Sequence, residues 1–166
     1  DLAAFKQAKK ALRERMAKLN HILNLRQHQA NGTGKFDSWL ESHQPFNWIA
    51  EFYQIMHGNG GFDVIIGNPP YVTFTDKSLP YTVKGYSTYT TKNLFALCAE
   101  RFRAIANQSN NIGYIIPLSG MSIDGFEPLQ KVMYSNTISW NSYYSGDRNP
   151  SELFTGVKIR AGIYIS

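Results

Sequence analysis

The chain of 166 residues contains one cysteine, Cys98. A single thiol rules out an internal disulfide and a Cys-only zinc site, and a reducing, cytoplasmic setting is the simpler expectation. No apolar run approaches the roughly 20 residues that span a bilayer, so no membrane partner is expected. There is no initiating Met: the chain opens Asp1-Leu2-Ala3, and Lys6, Lys9 and Lys10 stand where a secretory signal would have its apolar core. It therefore reads as an excised piece. His21, His28, His43 and His57 lack the i, i+4 spacing of a helical zinc pair and have no cysteine cluster beside them, so no metal is expected and they read as surface or packing residues. Ser119 and Ser122 stand in no Gly-x-Ser-x-Gly elbow, which leaves a hydrolase triad without support.

What is present suits a folded chain. Aromatic residues make up 14% of it, too many for a disordered segment, and 166 residues can bury a core. The net charge of +5 is unevenly placed. Residues 1–35 hold eight Lys/Arg against Asp1 and Glu14, a balance of +6 that leaves the other 131 residues at −1. The basic character thus belongs to one N-terminal element and does not describe a basic face on the globular part. Within that element Phe5, Ala8, Leu12, Met16, Leu19 and Leu23 recur at helical spacing, which predicts one amphipathic helix over residues 2–28, ended by Asn31-Gly32-Thr33-Gly34. Its charges fit a solvated face better than a phosphate-binding one. The expected division is a basic helix at 1–35 and a body at 36–166.

From Phe36 to Met56 the pattern is aromatic and helical, with a break at Pro45. Gly58-Asn59-Gly60-Gly61 precedes a strand instead of following one, so it reads as a turn and not as a dinucleotide fingerprint. Phe62–Gly67 is a short β-branched run that suits a strand buried on both faces of a parallel sheet, residues 93–107 suit a helix, and Ile112–Pro117 repeats the strand pattern. Together they make a β-α-β unit. Asp124 and Glu127 form a candidate capping pair for a helix ending near Met133. Alternation at 137–144 and 157–165 then predicts two half-buried antiparallel strands, with Ile138 and Trp140 on the apolar side of one and Val157, Ile159, Ala161, Ile163 and Ile165 on that of the other. The segment Ser145–Pro150 between them carries turn chemistry.

Asn68-Pro69-Pro70-Tyr71 follows the first strand directly, at the carboxyl end where open α/β sheets bind ligands. Two prolines fix φ and remove N–H donors, so the loop presents carbonyl oxygens on a stiff frame. Asn68 adds an acceptor, and Tyr71 adds an aromatic face. Such a site matches a planar NH₂ group, whose two donors need two acceptors and whose ring or amide needs a stacking surface. Accepting both N–H bonds favours the pyramidal nitrogen that can attack an electrophile, without any strong base.

Gly61-Phe62-Asp63-Val64-Ile65-Ile66-Gly67-Asn68-Pro69-Pro70-Tyr71-Val72 resembles the amino-methyltransferase motif of adenine-specific DNA methyltransferases, in the form found in large restriction-modification methylases. Phe46-Asn47-Trp48, Glu51-Phe52, Lys92-Asn93-Leu94-Phe95, Tyr114-Ile115-Ile116-Pro117 and Leu153-Phe154-Thr155-Gly156-Val157 are similar to neighbouring family segments, so the resemblance covers roughly residues 36–166. It implies an α/β, partial Rossmann-like fold with two parallel strands followed by an antiparallel pair, preceded by the long helix. It also implies S-adenosylmethionine as methyl donor and the N6 amine of an adenine flipped out of double-stranded DNA as target. By the same resemblance Asn68 and the Pro69 carbonyl hold the amine, Pro70 stiffens the loop, Tyr71 stacks on the base, and Asn68, Asn93 and Phe95 line the cofactor side. Phe74, Tyr81, Tyr86 and Tyr89, interleaved with Lys77, Lys84 and Lys92, form either a lid contributing Phe74 to the base or a loop that packs on itself.

The family's Gly-rich cofactor loop and the acidic residue after its second strand are not visible upstream of Phe62. By this resemblance the strands here are the fourth to seventh, and the isolated chain is expected to bind the cofactor weakly and not to turn over alone. Phe62–Gly67 would then be an open edge, able to pair with the remainder of the parent methyltransferase or with a second copy. The alternatives are a noncatalytic nucleic-acid-binding or assembly module, and a methyltransferase acting on an RNA guanine amine or a protein glutamine amide.

Overall fold

The structure, a computed structural model, describes residues 1–79, 83, 85–135, 138–145, 153–154, 156 and 158–166, apart from the side chain of Asn31. It forms two compact units, Asp1–Asn59 and Gly60–Ser166.

The first unit is helical. Helix α1 runs Leu2–Asn31, capped by the Asp1 carboxylate, which accepts from the Ala3 N–H at 2.9 Å. Helices α2 (Phe36–His43) and α3 (Trp48–Glu51) lie either side of Pro45, and one wider turn follows at Gln54–Gly58. Trp39 is buried and lies within 5.5 Å of the His28 ring and 5.3 Å of the His43 ring, while His21 meets Phe36 edge-on. These three histidines are packing residues. A polar seam ties α1 to the start of α3: buried Asn47 donates to Asn20 at 3.0 Å and Asn24 at 2.8 Å, and accepts from Gln27 at 2.8 Å.

The second unit is a mixed α/β layer. Its strands among the described residues are β1 (Phe62–Gly67), β2 (Ala106–Pro117), β3 (Trp140–Tyr144) and β4 (Ala161–Ile165), in the order β1-β2-β4-β3. β1 and β2 are parallel, joined through α4 (Leu94–Ile105), and β4 runs antiparallel to both β2 and β3. The expected antiparallel pair is present, and β4 also separates β2 from β3. Gly61 opens β1 at φ 135°, where a Cβ would lie 2.6 Å from the Ile105 carbonyl oxygen and the Ala106 carbonyl carbon. Only glycine lets the two chain segments approach so closely there.

The core lies on one face of this sheet. Ile112, Tyr114 and Ile116 of β2 and Tyr164 of β4 pack against Phe95, Ala96 and Ala99 of α4 and against Leu129 and Met133 of α6 (Glu127–Met133). Tyr114 and Tyr164 stack at 4.8 Å, and the Tyr164 hydroxyl donates to the Met133 carbonyl and accepts from Arg103 at 3.2 Å. The opposite face is open. Ile66, Gly113, Ile165 and Trp140 are successive partners across the four strands, so they form one row on that face.

Three sequence expectations are corrected here. β1 is not buried on both faces: Val64 is 56% and Ile66 83% exposed, because among the described residues of this unit α4 and α6 pack on the other side of the sheet. The side expected to be apolar on β4 is only partly covered, Ala161 being buried and Ile165 45% exposed, Trp140 of β3 is 57% exposed, and it is Tyr164 that enters the core, because its hydroxyl finds partners there. Asp124 and Glu127 form no capping box, since Asp124 opens a 3₁₀ turn (Asp124–Phe126) and α6 starts only at Glu127 with no side-chain cap. β3 and β4 are also shorter than expected, starting at Trp140 and Ala161. In the turn expected over Ser145–Pro150 only Ser145 is described, and Thr155 and Val157 of the Leu153–Val157 segment also lie outside the described residues.

Candidate acceptor loop and its supports

The loop Asn68-Pro69-Pro70-Tyr71 leaves the carboxyl end of β1, the end predicted for a ligand-binding turn. Asn68 and Pro70 are exposed, Pro69 is buried and Tyr71 is half-buried. One proline is thus packed as an anchor while the asparagine faces solvent. Gly67 supports this placement from below, because the Phe102 ring of α4 occupies the space a Cβ would need, at 2.8 Å.

The exit of the loop is tied to the start of α4. The Leu94 N–H donates to the Val72 carbonyl at 2.9 Å, the Phe74 N–H donates to the Lys92 carbonyl at 2.8 Å, and Thr73 bridges Asn93 in antiparallel fashion. This short ladder joins two motifs some twenty residues apart in sequence. Tyr71 meets Phe95 edge-on, with centroids 6.3 Å apart and planes at 82°. The Tyr71 hydroxyl is buried without a hydrogen-bond partner among the described residues, and burial pushes its pKa up, so the phenol is neutral at physiological pH.

The intervening segment is folded onto itself where it is described. Asp76 accepts from Lys92 and from the Tyr89 hydroxyl, each at 2.5 Å, and the Lys92 ammonium sits 3.8 Å from the Tyr89 ring centroid. The bond from Lys92, then that from Tyr89, holds the Asp76 carboxyl below its ordinary pKa. A second support comes from Glu100 of α4, whose carboxylate accepts from the N–H and hydroxyl of both Ser87 and Thr88 at 2.7 to 3.1 Å. Burial acts to raise the Glu100 pKa, but the four hydrogen bonds outweigh it and the net direction is down. Nothing in the motifs marks Glu100; the one available signal is that it is the only acidic residue of α4.

The site residues named from the sequence therefore differ in what they offer. Asn68, Pro69, Pro70 and Tyr71 form one loop with Asn68 and Pro70 on its surface, and Asn93 and Phe95 are brought beside it by the ladder. Phe74 is 4% exposed and Phe95 2%, the latter stacked on Phe126 at 5.4 Å. Both support the loop from the interior and present no free ring face. The Asn93 amide donates to the Thr91 carbonyl at 2.6 Å, leaving its oxygen as the available group. As a cradle for a molecule the size of S-adenosylmethionine, Asn68, Asn93 and Phe95 do not suffice, because Phe95 is enclosed and half of the Asn93 amide is already used. Tyr81 and Lys84 lie outside the described residues. A hollow of about 740 Å³ lined by Glu100, Arg103, Val132 and Ser135 shares no residue with the loop.

The chain is thus an α/β protein with a proline-stiffened loop at the carboxyl end of a parallel strand. The model of the Eco57I restriction-modification methylase family matches residues 2–149, and the chain belongs to that family. This is a family of DNA methyltransferases of restriction-modification systems. No curated protein matches the chain. No helix among the described residues is long and apolar enough to cross a membrane.

Proposed function

We propose that the chain carries the acceptor part of a DNA methyltransferase that moves a methyl group from S-adenosylmethionine to the N6 amine of an adenine flipped out of the duplex. The observation that carries this reading is the Asn68–Tyr71 loop, stiffened by its prolines and fixed at its exit by the ladder to residues 92–94. In it the Asn68 side-chain oxygen and the Pro69 carbonyl accept the two amine N–H bonds. This orients the nitrogen lone pair, which is otherwise delocalised into the ring, and stabilises the tetrahedral nitrogen of the transition state. Pro70 prevents the acceptors from swinging apart. The accessible part of Tyr71 gives the base a stacking surface, with Phe95 bracing the ring from within.

The donor side is different. The described residues before Phe62 are helices and turns, which offer no strand-turn-helix for a nucleotide-like cofactor. On this reading the methyl donor is held by groups other than Asn68, Asn93 and Phe95, and the edge of β1 that pairs with no strand among the described residues is where another segment or a second copy adds to the sheet. The reading places the protein in the cytoplasm with the DNA it modifies. A second reading, a noncatalytic DNA-binding module, draws on the enclosed Phe95 and the inward Tyr71 hydroxyl.

The test is methyl transfer from labelled S-adenosylmethionine to unmethylated DNA by the protein expressed from its full reading frame. Label on adenine N6, lost in Asn68→Ala, is the expected result. DNA binding that persists without transfer would favour the module, and label on RNA or protein amide would move the substrate.

A further inference from the structure

The first half of α1 stands apart from the packing that holds the second half. Every residue from Asp1 to Arg15 is exposed, whereas Met16, Leu19 and Leu23 are partly buried. At 3.6 residues per turn, Lys6, Lys9, Lys10 and Arg13 fall within an arc of about 100°. Asn20, Asn24 and Gln27 fall in the same arc two to five turns on, and there the arc is occupied by Asn47 through three hydrogen bonds. One continuous face is therefore used by the protein in its C-terminal half and left bare and cationic in its N-terminal half.

The bare half is unfavourable by itself. Lys6 with Lys9 and Lys10, and Arg13 with Lys9 and Lys10, are like-charge pairs at i, i+3 and i, i+4, each of which weakens a helix. None of the four cations forms an ion pair with a described carboxylate. Such a stripe is relieved by a polyanion. Lys6 to Arg13 covers about 10 Å of helix axis, the reach of roughly three successive phosphates on one DNA strand. The apolar residues alongside are mostly alanine (Ala3, Ala4, Ala8, Ala11), with Leu2, Phe5 and Leu12, too little apolar surface to favour insertion into a lipid layer.

We infer that Lys6, Lys9, Lys10 and Arg13 form a phosphate-binding stripe for the backbone of duplex DNA. This rests on the proposed reading for the identity of the polyanion and extends it by giving a sequence-independent anchor remote from Asn68 in the chain. The experiment measures binding of the whole chain to labelled, unmethylated duplex DNA over a range of salt concentrations. Replacing the four residues by Gln, which keeps helix propensity, is expected to reduce the slope of log K against log salt by roughly 3 to 4. Binding near 0.1 M salt is expected to weaken by about a hundredfold or more, equally on all sequences. The control is Arg15→Gln, Lys18→Gln and Arg26→Gln together, on the other side of α1, with helix content of both variants checked by circular dichroism.

An unchanged slope overturns the inference, as does an equal loss in the control, or no DNA binding by the unmodified chain. Stripe-dependent binding to anionic vesicles that exceeds binding to DNA also overturns it. A 2-aminopurine placed in the duplex reports base flipping separately. If the slope falls as expected while no flipping is seen, the stripe stands and the adenine-acceptor reading fails.

Discussion

Tyr71 keeps its hydroxyl in the interior with no partner among the described residues, which leaves one polar group desolvated and unrewarded. An unsatisfied buried group costs about 1 to 3 kcal/mol, so Tyr71→Phe is expected to raise stability by about 1 kcal/mol, seen as a higher urea midpoint. A lower midpoint would mean the hydroxyl has a partner after all. Glu100 is the reverse case, a carboxylate with four donors and a pKa held below its ordinary value. A depressed folded pKa contributes stability that is present above the unfolded value of about 4.3 and is lost as pH falls through the folded one. The unmodified chain is therefore expected to lose stability more steeply than Glu100→Gln below about pH 4, with the two curves converging in acid; parallel curves would exclude the clamp. The chemistry of Asn68, Pro69, Pro70 and Tyr71 was legible because it rests on residue types in one short segment. The interior positions of Phe74 and Phe95 were not, because which ring is covered depends on a helix brought in from elsewhere.

At the scale of elements the two faces of the sheet make different demands. Ile116 is enclosed by α4, α5 (Ser119–Ser122) and α6, while Ile66 looks out from the bare side. Ile116→Ala is expected to cost about 2 to 5 kcal/mol and Ile66→Ala less than about 1 kcal/mol in denaturant unfolding. Comparable losses would show that the bare side is covered in solution. Strand existence was readable from β-branched runs bounded by glycine, and α4 from its helical pattern. The choice of face was not readable, because alternation at 157–165 distinguishes two sides without saying which one helices cover. Tyr164 decided against the isoleucines by finding partners for its hydroxyl at Met133 and Arg103. Asp124 shows the same limit at a helix end, where a favourable pair of residues was displaced by a tighter turn.

For the whole molecule, the cationic helix and the Asn68–Tyr71 loop are separately housed. The helical unit carries the cations of α1 at a net charge of +3, eight Lys/Arg against five Asp/Glu, and the sheet unit, at +2 from nine against seven, carries the Asn68–Tyr71 loop. Composition showed that the basic excess is concentrated in residues 1–35, and the motif alone pointed to the loop. The division after Asn59 was less visible, since Phe46-Asn47-Trp48 and Glu51-Phe52 resemble segments that approach the motif yet fall in the N-terminal unit. The position of β4 has a further consequence, for the order of assembly. The strand β4, last of the four in sequence, lies between β2 and β3, so while the chain is being synthesised β3 emerges before its partner and β2 waits with one side vacant. Closing that gap is a late, non-local event, of the kind that slows folding and exposes partly formed sheets to mispairing. Until Ala161–Ile165 inserts, the facing edges of β2 and β3 stay open to the wrong partner.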